Sequence, residues 1–157
     1  MRKCTLPLLA LLVAAAQADA GILPEAQREN LISRVFQNFW GRAKLANGEF
    51  AQPATEQERN TVPVAKAVAH RALDTGEISG LAEWCGLDWQ PNYLSLSKAA
   101  RRKGLNEKQV AFVSFLHGAA QGNVSAAMAK SAPCKNEERL RVERLINQSQ
   151  LRGLDSI

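Results

Sequence analysis

Residues 106–120 read NEKQVAFVSFLHGAA and are the most apolar helical stretch outside the N-terminal segment. Apolar residues recur here every three to four positions, which is the spacing of an α-helix. Asn106 followed by Gln109 resembles a capping box, a pattern that marks a helix start. We therefore expect a helix at the centre of the fold. Gly118 within it costs about 1 kcal/mol relative to alanine, and so predicts that another backbone approaches closely there.

The same spacing continues on both sides of this stretch. It predicts helices over residues 24–45, 61–76, 78–84 and 90–103, and a last helix from within 131–136 to about residue 150. Residues 49–60 are polar and predict a loop with one turn of helix near 55–58. No stretch shows the strict alternation typical of β-strands. The sequence thus predicts one all-α domain of five to seven helices over residues 21–157, in bundle-like or orthogonal packing.

The first twenty residues have the anatomy of a secretory signal peptide. Arg2 and Lys3 precede an apolar run over residues 6–16, and small residues at Ala18 and Ala20 come before Gly21. An apolar run of this length is too short to cross a membrane, which needs about 20 residues. We expect cleavage before Gly21 and a periplasmic or secreted product, bacterial in its signal anatomy, although eukaryotic secretion remains open.

Cleavage would remove Cys4 and leave Cys85 and Cys134. Two cysteines in an oxidising compartment predict one disulfide. Their distant spacing, with two histidines in the chain, offers little for a metal site or a catalytic thiol. We predict no metal and no cofactor.

Charge is unevenly distributed along the chain. Residues 21–97 carry seven Lys or Arg and nine Asp or Glu, whereas residues 98–157 carry eleven and five. Arg101, Arg102 and Lys103 form the densest cluster. Cations complement the negative end of a helix, so one interpretation of this cluster is a solvated helix end. The other is a surface that binds an anionic protein or envelope component. Nucleic acid ranks lower, because no aromatic residues interleave with the basic ones.

Residues 84–89 read WCGLDW and place two tryptophans beside a cysteine. Trp84 and Trp89 either pack around the disulfide or form a binding surface. Asp88 suits a helix cap better than a catalytic role.

The remaining candidates are two histidines and a glutamine. His117 and Gln121 are four residues apart on the central helix, so they share a face and could line a polar cleft. A buried His117 bonded within the core is the simpler interpretation. His70 is expected to be a surface side chain.

Two functions from different classes follow. The favoured one is a non-enzymatic interaction protein, such as an inhibitor, an immunity-type protein or an assembly accessory, because no catalytic motif occurs. The alternative is a small enzyme acting on envelope polymer, with Asp88, Glu83 and His117 as acid and base groups. Convergence of these three in one pocket would favour the enzyme. The sequence predicts neither a partner's identity nor an oligomeric state.

Overall fold

The computed structural model describes residues 22–154, and the predicted signal peptide lies outside them. The fold is all-α, as the sequence predicts, and within the described residues there are six helices and no named strand. They are α1 (Glu25–Gln37), α2 (Glu56–Arg59), α3 (Lys66–Trp84), α4 (Gln90–Arg102), α5 (Glu107–Met128) and α6 (Asn136–Arg152). None of these helices is both long and apolar enough to span a membrane.

The packing of α3 against α5 organises the fold. Gly76 and Gly80 lie one turn apart on α3, and a Cβ at either position would collide with α5. A Cβ at Gly76 would lie 2.3 Å from the His117 carbonyl oxygen, and a Cβ at Gly80 would lie 2.7 Å from the Gln121 carbonyl oxygen. The two backbones therefore touch directly, which only glycine permits at this separation.

Two apolar cores surround this pair. The larger one joins α1, α3, α4 and α5, and its fully buried side chains include Phe39, Leu73, Phe112, Val113 and Leu116. The smaller one joins the end of α3 to α6 through Ala82, Cys85, Val142 and Ile146. A disulfide between Cys85 and Cys134 crosses this smaller core, which confirms the predicted bridge.

Helix α1 ends earlier than its apolar pattern predicts. We expected it to continue to residue 45, but it ends at Gln37. Gly41 adopts a φ of +76° and its N–H donates to the Ala51 carbonyl at 2.9 Å. The chain thus turns away from the helix axis, and Phe39 reaches the core from the turn, where its ring meets Phe112 edge-on at 5.1 Å.

Helix α3 is one continuous helix, so the predicted break between residues 76 and 78 is wrong. Gly76 weakens a helix when considered alone, but here it lies against α5, and tertiary contact outweighs its low propensity. The predicted break at Cys85 and Gly86 is correct, since α3 ends at Trp84 and Gly86 has a φ of +64°.

The start predicted at residue 61 is wrong, because α3 begins at Lys66 after an extended Ala65, but the starts of α5 and α6 agree with the sequence pattern. Asn106 and Gln109 form a capping box at the start of α5, each side chain accepting the other's backbone N–H at 3.0 Å. Thr55 caps α2 by accepting the Glu58 N–H at 3.0 Å. Helix α6 begins at Asn136, inside the predicted range, and ends at Arg152, two residues beyond the predicted end.

Candidate functional site

Residues 84–89 connect α3 to α4 around the disulfide. Trp84 and Trp89 are half-buried and pack against the smaller core. Asp88 is exposed, and its Oδ1 accepts the Gln90 N–H at 3.0 Å at the start of α4. Arg139 of α6 donates to the Cys85 carbonyl at 3.2 Å. In this arrangement the tryptophans cover a junction between helices. Asp88 bonds the first amide of α4 from the residue before the N-cap, and the N-cap itself is Trp89, which makes no side-chain cap bond, so the predicted Asp88 cap is wrong by one residue.

His117 belongs to a buried polar network between α5, α3 and α4. Its Nε2 lies 2.9 Å from Ser79 Oγ, and Asn92 Nδ2 donates to the same oxygen at 3.0 Å and to the Thr75 carbonyl at 3.1 Å. His117 and Asn92 are 2% and 1% exposed, and Ser79 is fully buried. A serine beside a histidine can serve nucleophilic catalysis, but here no side chain of the network reaches the surface.

Burial lowers the pKa of His117 to about 4, so its ring is neutral at pH 7. A neutral Nε2 can accept a hydrogen bond from the Ser79 hydroxyl. The centroids of the Trp89 and Tyr93 rings lie 6.2 and 5.0 Å from the centroid of the imidazole. The Asn92 Oδ1 has no hydrogen-bond partner within residues 22–154. The network fixes α4 against the central pair.

Gln121 lies one turn further along α5 and also faces α3. Its Nε2 donates to Glu83 Oε2 at 3.2 Å, and Ser125 Oγ donates to the same oxygen at 2.6 Å. The predicted shared face is therefore present, but His117 is buried at Ser79 while Gln121 is half-exposed at Glu83. Glu83, Asp88 and His117 occupy three different surroundings, each with its own hydrogen-bond partner.

The three residues of the basic cluster have different surroundings. Arg101 forms an ion pair with Glu107 at the start of α5. Lys103 donates to the Leu154 carbonyl at 3.3 Å. Arg102 is exposed and has no ion-pair partner among residues 22–154. The cluster is thus partly structural, since two of its three charges contact other parts of the fold.

A shallow groove of about 530 Å³, largely open to solvent, lies between α1 and α5. Its apolar lining consists of buried or half-buried side chains: Leu31, Val35, Phe115 and Ala119. Its polar lining residues Arg34, Asn38 and Asn123 are exposed. Gly118 lies between these two sets, on the exposed face of α5.

The predicted close approach at Gly118 is not made by this chain. A Cβ at Gly118, or at Gly122 one turn later, would meet no atom of the described chain within 4 Å outside its own stretch of helix. Both glycines are exposed. The close approach occurs instead at Gly76 and Gly80, so the prediction assigned it to the wrong glycine.

A second cleft, of about 330 Å³, adjoins the groove and shares Ser114 and Phe115 with it. Lys44, Arg101 and Glu107 line this cleft, and because Arg101 is paired with Glu107, Lys44 supplies its net positive charge. The Tyr93 and Ser114 hydroxyls lie 3.0 Å apart at its wall. Groove and cleft together form one concave surface with an apolar section and a basic section.

His70 lies at the α1–α3 surface, as expected. Its Nε2 is 3.0 Å from Glu29 Oε1, and potential ligand atoms of Glu25, Glu29 and His70 lie within 4.8 Å of one another. Lys66 Nζ already lies 3.1 Å from Glu25 and 2.7 Å from Glu29. This cluster is an ion-pair network in which a lysine already neutralises part of the charge that a metal would bind.

Sequence reasoning missed Ser79, Asn92 and the groove. A weak signal for the network existed, because Ser79 and Asn92 are polar residues at helix positions that face the core. The groove had a clearer signal in the sequence, because Gly118 and Gly122 have the four-residue spacing of a single helix face.

No family model, no curated protein and no solved structure matches this chain.

Proposed function

We propose that this protein is an exported, non-catalytic binding protein that holds a helical segment of an acidic protein partner in the α1–α5 groove. The observation that carries the proposal is the exposed glycine pair of α5, of which Gly118 lines that groove and Gly122 follows one turn later. Inhibitors, immunity-type proteins and assembly accessories all act in this way, by covering or holding another protein.

The glycine pair has no use within the described fold. Each glycine in a helix interior costs about 1 kcal/mol relative to alanine, and α5 contains two of them at positions where a methyl group would meet open space. By contrast, Gly76 and Gly80 are needed for the contact of α3 with α5. A face without side chains lets a second backbone come close, which suits a helix laid into a groove.

The lining of the groove favours a protein segment as the ligand. Half-buried Phe115 and Ala119 offer apolar contact above the buried Leu31 and Val35, and exposed Asn38 and Asn123 offer hydrogen bonds at the edges. An apolar centre with a polar rim is the usual composition of a protein interface.

The charge around this surface favours an acidic partner. Arg34 lines the groove and Lys44 lines the adjoining cleft, where the charge of Arg101 is paired with that of Glu107. Complementary charge mainly raises the association rate and selects the partner. A second copy of this chain would instead bring like charges together.

The rival proposal, an enzyme of the envelope polymer, has less support. It needs Asp88, Glu83 and His117 around one substrate, whereas Glu83 bonds Gln121 and Ser125 at the surface and His117 is buried at Ser79. General acid–base catalysis needs both groups within hydrogen-bond reach of the substrate.

Differential capture tests the proposal. Residues 21–157 would be immobilised in three forms: unchanged, Gly118→Leu, and Asn147→Leu as a control at an exposed position of α6. Each is exposed to bacterial envelope extract, after circular dichroism has verified folding. We expect a protein that is retained by the unchanged and control forms and lost with Gly118→Leu. Retention of the same proteins by all three forms, or of none by any, would overturn the proposal.

A further inference from the structure

Arg28, Asp74 and Glu77 form a buried ion cluster between α1 and α3. Arg28 Nη2 lies 2.6 Å from Asp74 Oδ1, and Arg28 Nη1 lies 3.2 Å from Glu77 Oε1. Arg28 also donates to the His70 carbonyl at 2.9 Å. Arg28 is 4% exposed and Glu77 is 1% exposed, so water screens these two charges poorly, whereas the Asp74 side chain is 24% exposed.

The other oxygen of Glu77 faces the first residues that the structure describes. Glu77 Oε2 accepts hydrogen bonds from the Ile22 N–H at 2.5 Å and from the Leu23 N–H at 3.4 Å. The backbone before α1 therefore folds over a buried carboxylate, and its contact with α3 is polar and specific.

This cluster is short of one positive charge. Within residues 22–154 the charged groups that face Glu77 are Arg28 from α1 and Asp74 from α3, which gives two carboxylates for one guanidinium. Burial raises the pKa of Glu77, although Arg28 and the two backbone N–H groups oppose this. A buried charge without full compensation is unfavourable.

The predicted cleavage before Gly21 would create a cation next to this cluster. The nitrogen of Gly21 is separated from that of Ile22 by three covalent bonds, so the two nitrogens are at most about 3.6 Å apart in any conformation. In the precursor the Gly21 nitrogen is a neutral amide. After cleavage it is an α-ammonium group.

We propose that the α-ammonium group created at Gly21 by removal of the signal peptide pairs with the buried Glu77 carboxylate, so that processing completes the ion cluster and stabilises the mature fold. The inference depends on cleavage between Ala20 and Gly21, and is independent of what the groove binds. It gives the mature N-terminus a structural role that the precursor chain cannot fill.

The pairing has a defined pH dependence. An ordinary α-amino group has a pKa of about 7.7 to 8.0, and a carboxylate beside it raises that value in the folded state. The pair therefore stabilises the fold fully below the unfolded-state pKa, and the stabilisation is lost as pH rises through the folded-state pKa.

The experiment compares residues 21–157 with a free Gly21 amine and the same chain acetylated at that amine. NMR titration of the labelled amino group should give a pKa about one unit or more above the ordinary range. The free-amine chain should melt at a higher temperature than the acetylated chain at pH 6.5, and the difference should vanish at high pH. An ordinary α-amino pKa together with equal melting temperatures would overturn the pairing.

Glu77→Gln is the matched control, because acetylation of that variant should leave its melting temperature unchanged. If Glu77→Gln fails to fold, the two forms of the unchanged chain still decide the question. Intact mass of the exported protein tests the processing separately. A start at a residue other than Gly21 would overturn the link to maturation.

Discussion

Alanine at Gly118 and alanine at Gly76 should change the stability of the protein in opposite directions. At Gly118 the added methyl group meets no described atom within 4 Å outside its own stretch of helix, so the change reflects helix propensity and should add about 0.5 to 1 kcal/mol. At Gly76 the methyl group would lie 2.3 Å from the His117 carbonyl oxygen and 2.9 Å from Ala120 Cβ. Separating α3 from α5 to make room should cost about 1 to 3 kcal/mol.

Urea unfolding with the disulfide intact measures both changes. With a slope of about 1 to 3 kcal/mol per molar urea, the two variants should differ in midpoint by about 1 M, with the unchanged protein between them. Gly122→Ala serves as a second open position and should behave as Gly118→Ala does. Equal destabilisation by Gly118→Ala and Gly76→Ala would refute the assignment of the glycines, and with it the argument that the Gly118 face is reserved for a partner.

Three further predictions concern the disulfide, the buried histidine and the basic cluster. Replacing both Cys85 and Cys134 by alanine should lower the free energy of unfolding by about 4 kcal/mol, and thiol labelling of the native protein should find neither sulfur free. His117 has a pKa of about 4 in the folded state, below its usual value, so protonation favours unfolding. The free energy of unfolding should fall by up to about 3 kcal/mol as pH drops from about 6.5 to 4. Urea titrations at several pH values should show a weaker pH dependence for His117→Gln, and an equal pH dependence in both proteins would contradict the lowered pKa of His117. Reversing Arg101 and Arg102 to glutamate should weaken partner binding and reduce its dependence on salt. Stability should change by less than about 1 kcal/mol for each ion pair lost. Unchanged binding would exclude a role of the basic cluster in binding.

Local signals in the sequence predicted much of the fold. The capping box at Asn106, the turn of helix near residues 55–58 and the break after Trp84 are each set by a few neighbouring residues, and each is present in the structure. The disulfide followed from the number of cysteines and the predicted compartment. Such features depend little on which helices meet.

Features that depend on tertiary contacts were not predictable in the same way. Gly76 ends a helix in isolation but lies within α3, because α5 packs on it. Phe39 extended the apolar pattern of α1, yet it enters the core from a turn after that helix. A single sequence does not tell which glycine faces another helix and which faces solvent, so Gly118 was assigned a contact that belongs to Gly76 and Gly80.

The candidate site was even less predictable, because it is formed by residues distant in the chain. His117 was expected to be a buried core residue, but its partners Ser79 and Asn92 come from two other helices. The ion cluster joins Arg28 to Asp74 and Glu77 across more than forty residues. Neither arrangement has a spacing that a sequence pattern could reveal.

The most direct test of the proposed function is the affinity of the captured partner for the unchanged protein and for Gly118→Leu, measured by isothermal titration calorimetry at one salt concentration. The side chain of Gly118→Leu projects into the groove and removes the close approach of a second backbone, so we expect affinity to fall by about 100-fold, equivalent to about 2.7 kcal/mol. Asn147→Leu should bind as the unchanged protein does. Equal affinity of Gly118→Leu and the unchanged protein would contradict the assignment of the α1–α5 groove as the binding site.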